Sequence, residues 1–390
     1  MTDGPGLTVG VLGQWLERRY PASLAESWDR VGLTVGDPAA PVSRILLTVD
    51  VTDEVVAEAR DFGAQLIVAH HPLLLRGVHA VRRDDPKGRL VMALIEAGIA
   101  LHSAHTNADA AAAGVSDALA AAVGLRDLRP LMPAPGEAMD KLVTFVPVAT
   151  PDGEDHLDRV ISSLASAGAG TIGQYDECAF AAVGEGRFRP LPGARPAIGR
   201  VGDRERVRET RVEMVLPRRR RTAVLAALLE VHPYETPAFD VYELASLDKP
   251  LGLGRRGALA EPASIRELAD RLRAALPIGA RGVRIAGDPS RAVHTVAVLA
   301  GAGDSLLPAV RAGDVDAFVT SDLRHHPAQE FLAHDGAPAL VDISHWGAEW
   351  LWLPHLGAAL ADDASAAGVA LDVRVSTVCT DPWTAWLPSS

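Results

Sequence analysis

Along the first third of the chain, short unbroken apolar runs alternate with stretches in which apolar residues recur every three or four positions. The runs Ser43–Asp50 (SRILLTVD), Ala64–Ala69 (AQLIVA) and Ile99–Ser103 read as buried strands. Between and after them, Asp53–Phe62, Lys87–Ala97 and Gly114–Val123 read as helices, stopped by Gly63, Gly98 and Gly124. Successive strands separated by helices predict a parallel sheet with helices packed on it. From about Leu128 the texture changes: Pro130, Pro133, Pro135 and Gly136 interrupt any regular period and mark a boundary. Strands are then predicted at 142–147, 178–183, 210–216 and 238–244, with helices at 156–166 and 222–231. That order, β-α-β-β-α-β, is the split arrangement of ferredoxin-like domains. After Leu253 the doubly wound pattern returns, with strands at 295–300, 317–320, 339–343 and 371–375 and helices at 264–276, 305–312, 327–334 and 345–360.

The 390 residues carry 38 Lys and Arg against 50 Asp and Glu, a formal charge of −12, the wrong sign for a chain that lives on nucleic acid or anionic lipid. Cys178 and Cys379 are too far apart for a CxxC motif or a disulfide framework, so a reducing compartment is expected. With no basic and apolar leader and no long uncharged apolar run, a cytoplasmic protein with no membrane association is expected.

Chemistry concentrates where predicted strands end. His70-His71-Pro72 follows the second strand, where ligands of open α/β sheets bind and where proline forces the chain out of the sheet. The pair reads either as metal ligands or as one buried and one solvated histidine. His105-Thr106-Asn107-Ala108-Asp109 follows the third strand. His105 and Asp109 share a face if a helical turn forms there, as metal or proton-transfer groups, and the competing reading is a helix cap with an acid in its first turn. Asp342-Ile343-Ser344-His345 leads into a helix that puts Glu349 on the face of His345. Each pattern has an ordinary structural explanation, but three strand-end clusters of imidazole and carboxylate together point to metal binding.

These residues, with Ser27-Trp28-Asp29, Gly32-Leu33, Gly252-Leu253-Gly254-Arg255 and Thr320-Ser321-Asp322-Leu323 in the same order, resemble the Nif-three-like dinuclear-metal hexameric proteins, or GTP cyclohydrolase I type 2 homologs. The stretch His232-Pro233-Tyr234-Glu235-x-Pro237 is similar to the PII/CutA-like insertion of the longer bacterial members. The resemblance implies a discontinuous α/β domain of two related halves, 1–127 and 247–390, with a ferredoxin-like α+β domain at 128–246 inserted between them. It implies that His70, His71, Asp109, His345 and Glu349 hold two divalent ions per chain (Zn, Fe, Mn or Ni), with Asp109 as the bridge. His105 falls on a nearby pocket position and is assigned to proton transfer. The implied function is a metal-dependent hydrolase of a small molecule, in a homo-oligomer expected to be a hexamer. The alternative is a non-catalytic hexameric metal-binding scaffold or regulator. Three further features are given ordinary roles. Gly252-x-Gly254-x-x-Gly257 follows Asp248-Lys249-Pro250 rather than a strand, which argues against a dinucleotide site. The run Arg218–Arg221 reads as a solvated face rather than a nucleic-acid patch, and His325 and His326 as structural or supporting residues.

Overall fold

The computed structural model describes residues 6–150, 153–245, 248–277 and 282–385. The chain divides into two compact units, Met1–Ala134 with Lys249–Ser390, and Pro135–Asp248.

The first unit contains two sheets. One has five strands in the order β1-β4-β3-β2-β15: β1 (Gly32–Val35), β2 (Arg44–Thr48), β3 (Leu66–Ala69), β4 (Ala100–Ser103) and β15 (Asp372–Val375). Strands β4, β3, β2 and β15 are parallel, and β1 closes one edge antiparallel to β4. The C-terminal strand therefore completes the sheet that the N-terminal third begins. The other sheet has six strands in the order β11-β14-β13-β12-β10-β5: β5 (Leu125–Pro133), β10 (Gly252–Ser264), β11 (Arg284–Ala286), β12 (Ala292–Ala302), β13 (Ala317–Ser321) and β14 (Ala339–Ile343). The two sheets share one core. Ile45, Leu47, Leu66 and Val68 of the first, and Val296, Val298, Val319 and Val341 of the second, pack with Leu119, Leu268, Trp352 and Leu356 of intervening helices. Helices Asp53–Phe62 and Pro86–Ala97 cover the other face of the first sheet, and Leu307–Ala312 and His325–Leu332 that of the second.

One sequence expectation changes here. The boundary between the units falls within the proline-rich stretch, at Ala134–Pro135, but the residues before it form strand β5, which pairs with β10 from Leu125↔Leu259 to Pro133↔Gly252 with one shift of register between Arg256 and Ala258. Pro130 and Pro133 are tolerated because β5 is an edge strand and owes hydrogen bonds to one neighbour only. The Gly-rich run Gly252–Gly257 lies within β10, opposite β5. A Cβ on Gly257 would stand 2.5 Å from the Arg126 carbonyl oxygen, so these glycines let two strands approach rather than cradle a phosphate. Arg255, almost fully buried, donates to both Asp117 oxygens at 2.8–2.9 Å and to the carbonyls of Gly252 and Gly254 at 2.7–2.8 Å.

The second unit is a βαββαβ module: β6 (Met139–Pro147), helix His156–Ser166, β7 (Ala179–Phe188), β8 (Glu205–Pro217), helix Arg221–Val231 and β9 (Phe239–Glu243). Its antiparallel sheet runs β7-β8-β6-β9, the ferredoxin-like order. Leu142, Val146, Val212 and Met214 bury one face against Val160, Leu164, Val224 and Leu228 of the two helices. The arginine run has a structural partner: Arg218 and Arg221 both bind the buried Asp140, at 3.1 and 2.7 Å.

Candidate metal centre

The first unit brings the strand-end clusters together. His70 and His71 leave β3 with their backbone N–H groups still bonded to Thr48 and Val49 of the neighbouring strand. His105 sits before the short helix Thr106–Ala110, which carries Asp109. His345 opens helix His345–Trp350 behind the cap Ser344, whose hydroxyl accepts from the Gly347 N–H, and Glu349 follows one turn later.

Each imidazole is fixed from behind. Nδ1 of His70 donates to the Ala104 carbonyl at 2.9 Å, that of His71 to Asp50 at 2.7 Å, that of His105 to Asp29 at 2.9 Å and that of His345 to Asp322 at 2.6 Å. An Nδ1–H held by an acceptor leaves a lone pair on Nε2, the arrangement that orients metal-bound histidines. The carboxylates are themselves held: Asp29 also accepts from the Thr106 N–H and hydroxyl, and Asp50 from the Thr380 hydroxyl.

In front of the rings lies Glu349. Its Oε1 is 2.9 Å from His345 Nε2 and 3.4 Å from His70 Nε2, and its Oε2 is 3.1 Å from His71 Nε2. Asp109 Oδ1 is 3.7 Å from His70 Nε2. The central carboxylate is thus Glu349, while Asp109 approaches from the His70 side. Ligand atoms of His70, His71 and His105 lie within 4.8 Å of one another, as do those of His71, His345 and Glu349. His70 Nε2, Asp109 Oδ1 and Glu349 Oε2 are buried without a hydrogen-bond partner. Three such orphans at one point are expensive unless a cation satisfies them, so the residues fit a metal.

The electrostatics agree. Burial alone would raise the Glu349 carboxyl, yet the surrounding imidazoles hold it well below the usual range. Glu349, with help from Asp322, pushes His345 up to about 10 against its burial. Burial is the largest single influence on His70 and His71 and opposes their charge, but Glu349 together with Asp109 at His70, and together with Asp50 at His71, outweighs it and both are raised. Burial pushes the Asp109 carboxyl up. His71 at the same time lowers its imidazole neighbours. A ring of mutually opposed imidazoles around one buried carboxylate suits a divalent cation better than separate protons.

Beside the cluster is a cavity of about 460 Å3 lined by Asp50, Thr52, His71, Asp322, His345 and Trp383. Trp383 is 62% exposed at its edge, and Trp28, 53% exposed, stands edge-on to His105 with ring centroids 5.9 Å apart. The sequence reading singled out every residue of the imidazole–carboxylate cluster. It did not assign roles to Asp29, Asp50, Asp322 or Thr380, although Asp29 and Asp322 lay within its motifs. His325 and His326 are exposed at the start of their helix and belong to neither ligand group.

Comparison with known proteins places these features in context. A family model described as Duf34/NIF3 (NGG1p interacting factor 3) matches residues 7–382. A Mycobacterium tuberculosis protein named GTP cyclohydrolase 1 type 2 homolog is 49% identical over 369 residues, 94% of each chain. The crystal structure of a Bacillus cereus protein related to NIF3 superposes with a TM-score of 0.65 at 34% identity, covering 97% of this chain and 98% of that one. That of the Staphylococcus aureus protein SA1388 gives 0.75 at 27% identity, covering 98% and 100%. No helix among the described residues is long and apolar enough to cross a membrane.

Proposed function

The chain belongs to the Duf34/NIF3 family, and from that premise we propose that it is a metal-dependent hydrolase with two divalent ions per chain. The observation that carries this reading is the set of four imidazoles, each tied at Nδ1, gathered around Glu349 and Asp109 with buried orphan atoms facing one another. His70, His71, Asp109, His345 and Glu349 are the ligands. His105 joins them, because its ring nitrogen and those of His70 and His71 lie within 4.8 Å of one another, as the donors of one ion would. This moves His105 from proton transfer to ligation. Loss of about one ion in His105→Ala is the expected outcome, and full metal content would return the residue to proton transfer.

When bound, a pair of such ions lowers the pKa of water and stabilises a developing oxyanion. The chain's own residues prepare that chemistry. Asp29, Asp50 and Asp322 hold the rings in one tautomer, Glu349 balances charge at the centre, and the 460 Å3 cavity beside His71 and His345 admits a small molecule. The exposed Trp383, which lines that cavity, gives a planar substrate a ring to lie against. The relatives' name supports nucleotides as the first compounds to try. The test is a panel of nucleotides and phosphomonoesters assayed with metal-loaded protein, with His345→Ala as the baseline. Turnover that requires both metal and His345 is expected. Metal binding without turnover on any compound would favour a scaffold or regulatory role. Assembly into a homohexamer is part of the same proposal, and light scattering near the 41.1 kDa of one chain would contradict it.

A further inference from the structure

The inserted module contains a second cavity, of about 290 Å3, formed entirely by its own residues. Phe145 of β6, Phe188 of β7 and Tyr234 of the His232-Pro233-Tyr234-Glu235 stretch line it, with Glu209 of β8 among them. Glu209 is 9% exposed, and its Oε1 accepts from the Tyr234 hydroxyl at 2.9 Å. Among the described residues it makes no ion pair, which is costly for a carboxylate held among aromatic rings. The site is made to hold it there. A Cβ on Gly186 would lie 1.9 Å from Glu209 Oε2, so a larger residue there would displace the carboxylate from its present position on the sheet face. Tyr234 is set in turn by its neighbour: His232 Nε2 donates to the Phe145 carbonyl at 3.1 Å, and His232 Nδ1 accepts from the Tyr234 N–H at 3.1 Å. Glu235 accepts from the Arg195 N–H at 3.0 Å and so fastens the loop that roofs the cavity.

A buried anion flanked by three aromatic rings recognises an ammonium group. The mouth of the same cavity carries Arg187 and Arg189. Arg187 is engaged by Glu185 at 2.7 Å, whereas Arg189 is exposed and offers its guanidinium to an anion. A simple cation would meet these arginines, and a simple anion would meet Glu209. We infer that the inserted module binds a small zwitterion of the α-amino-acid class with an apolar side chain, its ammonium on Glu209 and its carboxylate towards Arg189. The cavity volume is at the lower end of small-ligand sites and suits a molecule of that size. Every residue that lines this site belongs to the inserted module.

The full-length protein is titrated by calorimetry with L-leucine, L-methionine and L-phenylalanine, each up to about 10 mM. The expected result is one site per chain for at least one of them. The same titration with 4-methylpentanoate and 3-methylbutylamine, which lack the ammonium and the carboxylate of leucine respectively, should show binding weaker by about tenfold or more. Glu209→Gln and Arg189→Ala should each weaken binding by a similar factor with unchanged metal content. Arg189 is exposed, so its variant keeps the test valid if Glu209→Gln misfolds. Absence of binding by all three amino acids, equal binding of the amine or the acid, or unchanged binding in Arg189→Ala would overturn the inference.

Discussion

His71 and Glu349 come from opposite ends of the chain, one at the end of β3 and the other one turn into the helix after β14, and their Nε2 and Oε2 atoms stand 3.1 Å apart. Neither sheet makes the cluster alone. The five-stranded sheet supplies His70, His71 and, after β4, His105 and Asp109, while the six-stranded sheet supplies His345 and Glu349. The core shared by the two sheets is therefore what sets the geometry of the site.

The ion pair of Arg255 with Asp117 couples the β5–β10 edge to the helix Val115–Val123. Arg255→Met should lower stability by about 3 kcal/mol in denaturant titration, since Asp117 loses its partner and three buried carbonyls lose a donor. A loss below about 1 kcal/mol would show that the motif Gly252–Arg255 serves something other than the fold.

The ends of the insertion meet: the Lys249 N–H donates to the Ala134 carbonyl at 2.9 Å, and the Ala134 N–H to that of Leu251 at 2.7 Å. Replacing residues 135–248 by an Asn-Gly turn should convert β5 and β10 into a hairpin and leave a soluble unit with the metal content of the full chain. A soluble deletion without metal would contradict separable units.

Acid sensitivity should trace in part to His102. Burial lowers its folded-state pKa to about 4. An unfolded histidine titrates near 6.5, so between about pH 6.5 and 4 the unfolded chain binds a proton that the folded chain refuses, and stability falls as pH drops through that window. His102→Leu removes this contribution. Between pH 6.5 and 5 the wild type should lose about 2 kcal/mol more than the variant, measured by urea unfolding at each pH. Parallel losses would refute the assignment.

Much of this was legible in the sequence because period and position carry it. The apolar runs 43–50 and 64–69 have no polar face, which predicts strands covered on both sides, and β2 and β3 are buried at nearly every position. Imidazoles directly after such strands could be located before any coordinates. The edge strand β5 was not legible, because Pro130 and Pro133 break the pattern while remaining compatible with an edge. Nor were the acceptors behind the rings. Asp50 follows β2, Asp29 precedes β1, and Asp322 follows β13 at a positive φ of 57°. Only the order of strands in space puts each beside its imidazole.

Asp322 holds His345 without touching the ligand cluster's centre. Asp322→Asn should weaken metal binding by about tenfold to a hundredfold in chelator competition while leaving the circular dichroism spectrum unchanged. Unaltered affinity would mean that the His345 tautomer is set elsewhere.

The central claim is tested most directly by metal analysis of purified protein after saturation with a divalent ion and desalting. The account predicts close to two ions per wild-type chain, fewer than one in Glu349→Ala, about one in His345→Ala, and close to two in His326→Ala, whose side chain is exposed outside both ligand groups. It also predicts that the added ion raises the melting temperature of the wild type and of His326→Ala, but hardly that of Glu349→Ala. Equal metal content in all four proteins, or none in the wild type, would contradict it.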